Sequence, residues 1–340
     1  MSKIYVGIDL HSNNSYFAVV DESGKRLFHK RFSNNKVDIL KAMKRIEEFG
    51  DVLEIAIEST YNWYWLNDFL EDHGYKVSLA NPAAMTPYTG LKSTNDKTDS
   101  FFLAEQLRLN VLPKCWKCPK DDRPVRELLR ARSFLVEKRT SLKNSLVLLF
   151  QRYTGNRYSF QKIESLLPIS QFELAEDSLF RVNQLLKLIH EMSKSINEFE
   201  RRAMGKLQLK PEYKVLRSIP GVGPVLALTI MLETGDINRF AKSGKYTSYC
   251  RCVNSHKISN GKNKGINNKK CGNRYLSWAY AEAAVNAKRY CTEANGYWQR
   301  KVAKTANKVL AYKALSAKLT KACYYMLKNN EEFDRKRIFS

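Results

Sequence analysis

Short alternating or apolar stretches fill the first eighty residues, and helical periodicity replaces them after about residue 100. Residues 3–10, 15–20 and 26–32 alternate or run apolar, broken by Asn, Ser and Gly, with Ser23-Gly24 marking a turn. Over 36–48, Val37, Ile39, Leu40, Met43 and Ile46 recur at helical spacing. A buried-strand run then covers 52–57, a helix 62–72, and another strand lies near 75–80.

That order, three strands as hairpins followed by helix, strand, helix and strand, predicts an α/β sheet of RNase H-like type. In it Asp9 sits on the first strand and Glu58 at the tip of the fourth, where neighbouring strand ends would meet. Glu54 and Asp51 precede Glu58 on the same strand and read as surface acids.

Farther along, Leu128, Leu135, Leu142 and Leu149 recur every seven residues, with Val125, Val136 and Leu146 beside them. A second periodic stretch, 177–207, carries Leu179, Val182, Leu186, Ile189, Ile196, Phe199 and Ala203. Two long amphipathic helices joined through Gly155 and Pro168 predict an antiparallel hairpin or an oligomerisation arm. Paired stripes of this length favour an arm that dimerises. A third unit starts near Glu212, where Pro220-Gly221-Val222-Gly223-Pro224 precedes a helix at 225–234. This turn is either a plain helix entry or a helix-hairpin-helix-like element whose N–H groups face a phosphate. The division expected is 1–112, 113–210 and 211–340.

Charge narrows the function. Lys and Arg number 58 against 34 Asp and Glu, a net +24, which predicts a polyanionic partner. No apolar run approaches the roughly 20 residues needed to span a bilayer. The start MSKIYVGIDL lacks the zones of a signal peptide, so a cytoplasmic protein with reduced thiols is expected. Cys115 and Cys118 have zinc-like spacing, but Cys250 and Cys252 are too close together for a usual second knuckle, so plain thiols are the reading. Over 237–281 there is no acidic residue and ten basic ones. Arg251, Lys257, Lys262, Lys264, Lys269, Lys270 and Arg274 make this a candidate nucleic-acid loop, with Tyr246, Tyr249 and Tyr275 available to stack on bases.

Within so basic a chain, Asp9, Glu58, Asp96 and Asp99 call for a cation. Mutual repulsion would raise their pKa values, and a divalent ion relieves it. Hard oxygen donors suit Mg2+ or Mn2+, the ions of phosphoryl transfer. Asp96 and Asp99, three apart, share a face if Asp96 opens a helix; the plain alternative is an N-cap and a first-turn acid. Ser259 lies in the basic loop, where lysines would stabilise a developing oxyanion, though most such serines only form hydrogen bonds.

The segments VGIDLHSNN, AIEST, DKTDSFFLAE, RSIPGVGPVLALTIMLETGDINRF and GINNKKCGNRYL, in this order, resemble the IS110-type transposases (recombinases), including the Piv-like DNA invertases. The resemblance spans roughly 3–110 and 212–290. It implies a RuvC-like N-terminal domain whose Asp-Glu-Asp-Asp tetrad matches Asp9, Glu58, Asp96 and Asp99, followed by the family's Leu-Ala-Glu as Leu103-Ala104-Glu105. Phe102 departs from the small or basic residues usual after the last Asp. The resemblance also implies a helical (coiled-coil) arm and a mainly α C-terminal domain. There a Ser-Gly-Gly-Lys-like loop matches Ser259-Asn260-Gly261-Lys262, with Asn260 in place of the first Gly and Ser255 the alternative serine. The implied chemistry is DNA recombination, with Mg2+ on the acids and a covalent phosphoserine link. The implied partners are donor and target DNA, a guide RNA made by the element, and further copies of the chain as a homodimer or homotetramer.

Three other readings compete. A RuvC-like structure-selective nuclease would use the acids and water but not Ser259. A non-catalytic nucleic-acid binder would not need four intact acids. An actin-type ATPase also opens with a strand ending Gly-Ile-Asp, but a second Gly-rich phosphate loop is missing.

Overall fold

The computed structural model describes residues 2–85, 95–166, 174–207, 210–254, 256–266 and 271–339. The chain divides into two compact units, Met1–Lys117 and Cys118–Ser340.

In the first unit, β1 (Lys3–Leu10), β2 (Asn14–Asp21), β3 (Arg26–Ser33), α1 (Lys36–Glu47), β4 (Asp51–Glu58), α2 (Trp63–Asp72), β5 (Val77–Ala80) and α3 (Asp96–Arg108) follow in sequence. The five strands form one mixed sheet, ordered β3-β2-β1-β4-β5. β1 to β3 pair antiparallel, whereas β1, β4 and β5 run parallel.

Both faces of this sheet are covered, so its strands read as nearly continuous apolar runs. The residue types still separate with period two. Ile4, Val6, Ile8, Phe17, Val19, Ile55 and Ile57 pack with Ile39, Met43 and Ile46 of α1 and Leu66 and Leu70 of α2. The opposite face is built from small residues: Ala56 and Ala80 meet Leu103 and Leu107 of α3, and Ala18 meets Phe101 and Ala104. Gly7 belongs to this second face. A Cβ there would lie 1.9 Å from the Ser100 carbonyl oxygen and 2.6 Å from the Ala104 nitrogen, so α3 rests directly on the β1 backbone.

The second unit is mostly helical: α4 (Arg123–Thr154), α5 (Phe160–Ser165), α6 (Glu176–Leu207), α7 (Pro211–Arg217), α8 (Pro224–Thr234), α9 (Ser243–Tyr249), α10 (Arg274–Tyr290), α11 (Thr292–Thr305), α12 (Lys308–Asn329) and α13 (Arg335–Phe339). A two-stranded hairpin, β6 (His256–Ser259) and β7 (Lys262–Ile266), interrupts it.

α4 and α6 form an antiparallel pair. Arg132 bonds Glu200, Arg139 bonds Ser193, Arg181 bonds Ser145, and Ser178 bonds Tyr153, so rising numbers on one helix meet falling numbers on the other. Leu146, Leu149 and Phe150 pack with Val182 and Ile189. The two apolar stripes therefore bury each other within one chain. The expectation that they require a second copy is corrected to that extent, because each helix is the other's partner. Phe160 and Ile163 of α5 join that pair, while α7 to α13, with Val125 and Leu129 of α4 and Ala203 of α6, enclose a second core around Leu216, Ile230, Tyr246, Tyr280 and Leu319. Among the described residues, no helix is long and apolar enough to cross a membrane.

Candidate metal centre and nucleic-acid surface

The strand register creates the acidic site. Ile8 of β1 pairs in parallel with Ile57 of β4, so Asp9 and Glu58 follow at the next position of adjacent strands. Both side chains emerge on the α3 face. α3 begins there with a capping box: Asn95 accepts from the Thr98 N–H, and Thr98 Oγ1 accepts from the Asn95 N–H. Asn95 is thus the cap, and Asp96 is the first helical residue, not the cap itself. Asp96 and Asp99 occupy the first turn, where the helix dipole favours negative charge. The Ser100 hydroxyl ties this turn to the sheet by bridging the carbonyls of Tyr16 and Asp96.

A fifth residue, His11, joins the acids. Its Nε2 lies 3.1 Å from Asp9 Oδ2 and 3.4 Å from Asp96 Oδ1. Asp9, His11 and Asp96 each present a ligand atom within 4.8 Å of the others, the one such grouping among the described residues. The turn after β1 is pinned, since the side-chain amides of Asn34 and Asn62 both donate to the His11 carbonyl oxygen. Arg31 of β3 donates to Asp96 Oδ2 at 2.5 Å.

Electrostatics place Asp99 and Glu58 in the same field. Burial raises the Asp9 carboxyl above its usual range, with Asp96 and Asp99 adding to this and His11 opposing it. Burial also raises Glu58, as do Asp9 and Asp99. Asp99 is raised by burial and by Asp96. Glu58 and Asp99 feel the cluster's charge but stand outside its closest three-residue grouping.

Sequence reasoning missed His11. Its signal was a histidine two positions beyond Asp9 at a strand end, where the chain has only five histidines. Glu54 corrects another expectation. It is not a free surface acid but accepts from Ser78, from Lys114 at 2.5 Å and from Lys76 at 3.1 Å. Burial alone would raise Glu54; those hydrogen bonds outweigh it and hold the carboxyl below its usual range.

In the second unit, Ser259 is exposed at the end of β6, beside the turn of Asn260 and Gly261, both with positive φ. Lys262 and Lys264 are exposed on β7. Lys257 lies in β6, but its side chain is outside the described residues, as are Ser255, Lys269 and Lys270. The segment read as a basic loop is therefore partly a hairpin. Arg251 folds back to donate to the Gly272 carbonyl, at 3.0 Å from Nε and 2.7 Å from Nη2. Arg274 is exposed at the start of α10, which Asn273 caps by accepting from the N–H groups of Tyr275 and Leu276. Asn273 also donates to Glu233, a buried carboxylate held by both Nε and Nη2 of Arg130.

Tyr246 does not stack on bases. It is fully buried, its hydroxyl bonded to Thr234 and Tyr280. Gly221 of the Pro-Gly-Val-Gly-Pro turn lies against the Asn286 and Ala287 backbone, which a Cβ would meet at 2.6 Å. Among the described residues none of the seven cysteines forms a disulfide.

With the acids at one sheet end and a basic hairpin in a separate unit, two sequence matches decide the family. Residues 6–154 match the DEDD transposases of IS110 type, and residues 213–299 match the transposase family IS116/IS110/IS902. The chain belongs to the IS110 transposase family. A transposase of insertion sequence IS1111A from Coxiella burnetii is 22% identical over 96% of this chain and 90% of its own. The transposase of IS1328 from Yersinia enterocolitica is 21% identical, covering 80% of each. A pilin gene-inverting protein from Moraxella bovis is 23% identical over 75% of this chain and 74% of its own. A DEDD-type transposase implies a divalent metal, and the donor set fits one: the carboxylates of Asp9 and Asp96 with the His11 imidazole between them, Asp9 being raised by burial and by the neighbouring acids.

Proposed function

We propose that this chain is a DNA recombinase of an insertion sequence, cutting and rejoining DNA with its acids and Ser259. The observation that carries the reading is the convergence of Asp9 and Asp96 on His11, inside a field shared with Glu58 and Asp99. The sheet order, with three antiparallel strands extended on the β1 side by two parallel ones, supports an RNase H-like, RuvC-like domain over 1–112. The arm is then 113–210, and the serine-bearing domain 211–340.

In this reading Asp9, Glu58, Asp96 and Asp99 hold Mg2+ or Mn2+, with His11 beside them. Such an ion supplies charge neutralisation at a phosphate under attack. Ser259 Oγ attacks phosphorus, loses its proton and forms a phosphoserine bond as a sugar oxygen departs with the electron pair and takes up a proton. Reversal of that step onto another strand rejoins DNA. Lys262 and Lys264 flank the serine and offset phosphate charge; Arg251, Lys257, Lys269, Lys270 and Arg274 extend the basic surface. Donor and target DNA, an element-encoded guide RNA and further copies of the chain are the partners, in a cytoplasmic, nucleoid-associated setting. Exposed Leu148, Phe180 and Leu188 on the paired helices suit assembly of a homodimer or homotetramer.

A second reading, hydrolysis by a RuvC-like nuclease, draws on one observation: the acids and His11 all lie in the first unit, independent of Ser259. One assay separates the two. Protein, RNA transcribed from the flanks of the gene, donor and target DNA, and Mg2+ are combined and resolved in SDS. An adduct abolished by Ser259→Ala establishes the serine route. Cutting without an adduct, unchanged in that variant, establishes hydrolysis.

A further inference from the structure

Within the second unit, α4 and α10 border a cleft of about 660 Å³ that neither the acids nor Ser259 occupy. Its walls carry Arg132, Val136 and Asn144 from α4, and Arg274, Tyr275 and Trp278 from α10. The pairing of cations with rings is specific. The Arg132 guanidinium lies 5.4 Å from the Trp278 ring centroid, and that of Arg274 lies 4.9 Å from Tyr275. Arg130 approaches Tyr275 as well, at 4.8 Å, while its own charge is neutralised by Glu233.

One donor on a residue of this wall is unmet. Arg132 bonds Glu200 through Nε at 2.8 Å, yet its Nη1 is covered and has no hydrogen-bond partner among the described residues. A covered N–H without an acceptor is costly, and native folds seldom leave one unless something else supplies the acceptor. Nη1 is closed to solvent, so a phosphate oxygen or a base carbonyl meets this guanidinium only once it turns toward the cleft. The flat faces of Trp278 and Tyr275, each already attended by a guanidinium, suit a planar base. Glu137 and Glu282 also line the cleft and dilute its positive charge. That makes the cleft a poor seat for a run of duplex backbone, whose affinity depends on the number of phosphates neutralised. Stacking must supply the binding.

We infer that this cleft is a subsite for an unpaired nucleotide of single-stranded DNA, its base stacked on Trp278 and its acceptor groups met by Arg132 and Arg274. The inference rests on the DNA-processing function proposed above. In that context it gives a strand freed from its duplex a holding point separate from the acids and the serine.

The test is fluorescence anisotropy of a labelled oligothymidylate of about ten nucleotides in EDTA, so that no strand is cut. Trp278→Ala should weaken binding roughly 5- to 150-fold, the range for loss of one base–aromatic stack. Glu282→Gln should tighten binding, an effect that misfolding cannot mimic. Binding by the unmodified protein that neither variant alters overturns the subsite and leaves the recombinase reading standing. Preference for an equal-length duplex, equally insensitive to both variants, overturns it too. Oligouridylate bound tighter than oligothymidylate, with the loss in Trp278→Ala confined to the RNA, overturns the assignment to DNA. Failure to bind any nucleic acid overturns the subsite and the proposed function together.

Discussion

Replacing Gly7 with alanine tests how the acidic site is assembled. The added Cβ would lie 1.9 Å from the Ser100 carbonyl oxygen and 2.6 Å from the Ala104 nitrogen. Ordinary contact is about 3.5 Å, so α3 must retreat by roughly 1.5 Å. Both obstructing atoms are helix backbone, so no change of side-chain rotamer relieves the clash. The α3 face that withdraws carries Leu103, Ala104 and Leu107, and overpacking of this kind costs about 1–3 kcal/mol. The larger consequence concerns the site. Asp96 and Asp99 ride on α3 while Asp9 rides on β1 and His11 on the turn that follows it, so the 3.4 Å approach of His11 to Asp96 widens with the helix. A misplacement near 1 Å is enough to cost on the order of 100-fold in rate. Thermal denaturation and Mn2+ titration by calorimetry, run on the variant and the unmodified chain, measure both effects. Gly205→Ala is the control: it sits in α6 with nothing within 4 Å of an added Cβ and should stabilise by about 0.5–1 kcal/mol. A Gly7→Ala protein with unchanged melting temperature and unchanged Mn2+ affinity would refute the claim that this contact sets the site.

Metal addition should stabilise the chain in a pH-dependent way. Asp9, Glu58 and Asp99 have folded-state pKa values raised by burial, so their contribution to stability is present below the ordinary carboxylate range and lost as pH rises through the raised values. A divalent ion reverses that loss, by about 2.7 kcal/mol at a hundredfold excess over its Kd, so the rise in melting temperature should be larger at pH 7 than at pH 4. In His11→Ala, Mn2+ affinity should fall more than Mg2+ affinity, since imidazole suits the softer ion; equal losses would remove His11 from the ligand set. Tyr246→Phe should cost about 1–3 kcal/mol, by leaving buried Thr234 and Tyr280 short of a partner, without changing nucleic-acid affinity. Weakened DNA binding with intact stability would return Tyr246 to the interface.

Much of this was legible before any coordinates. Period-two alternation and turn residues located the strands; 3.6-residue periodicity located α1, α2 and the two long helices. Both are local consequences of backbone geometry, readable wherever one face of an element is buried. Asp9 and Glu58 were visible because carboxylates at the ends of apolar strands are expensive in a chain of net charge +24, and Asp96 and Asp99 because acids three apart share a face where a helix begins. His11, Glu54 and Tyr246 were not legible, because each is decided by neighbours distant in sequence. His11 matters through Asp96, eighty-five positions on. Glu54 is neutralised by Lys114, and Tyr246 is enclosed by Tyr280. The stripes of α4 and α6 likewise announced that they must be covered, but only the antiparallel pairing decided that each would cover the other. Residue type and spacing carry the local cost of leaving a group exposed or buried. Which group pays that cost back depends on tertiary packing, because Coulomb and contact energies act through space and take no account of separation along the chain.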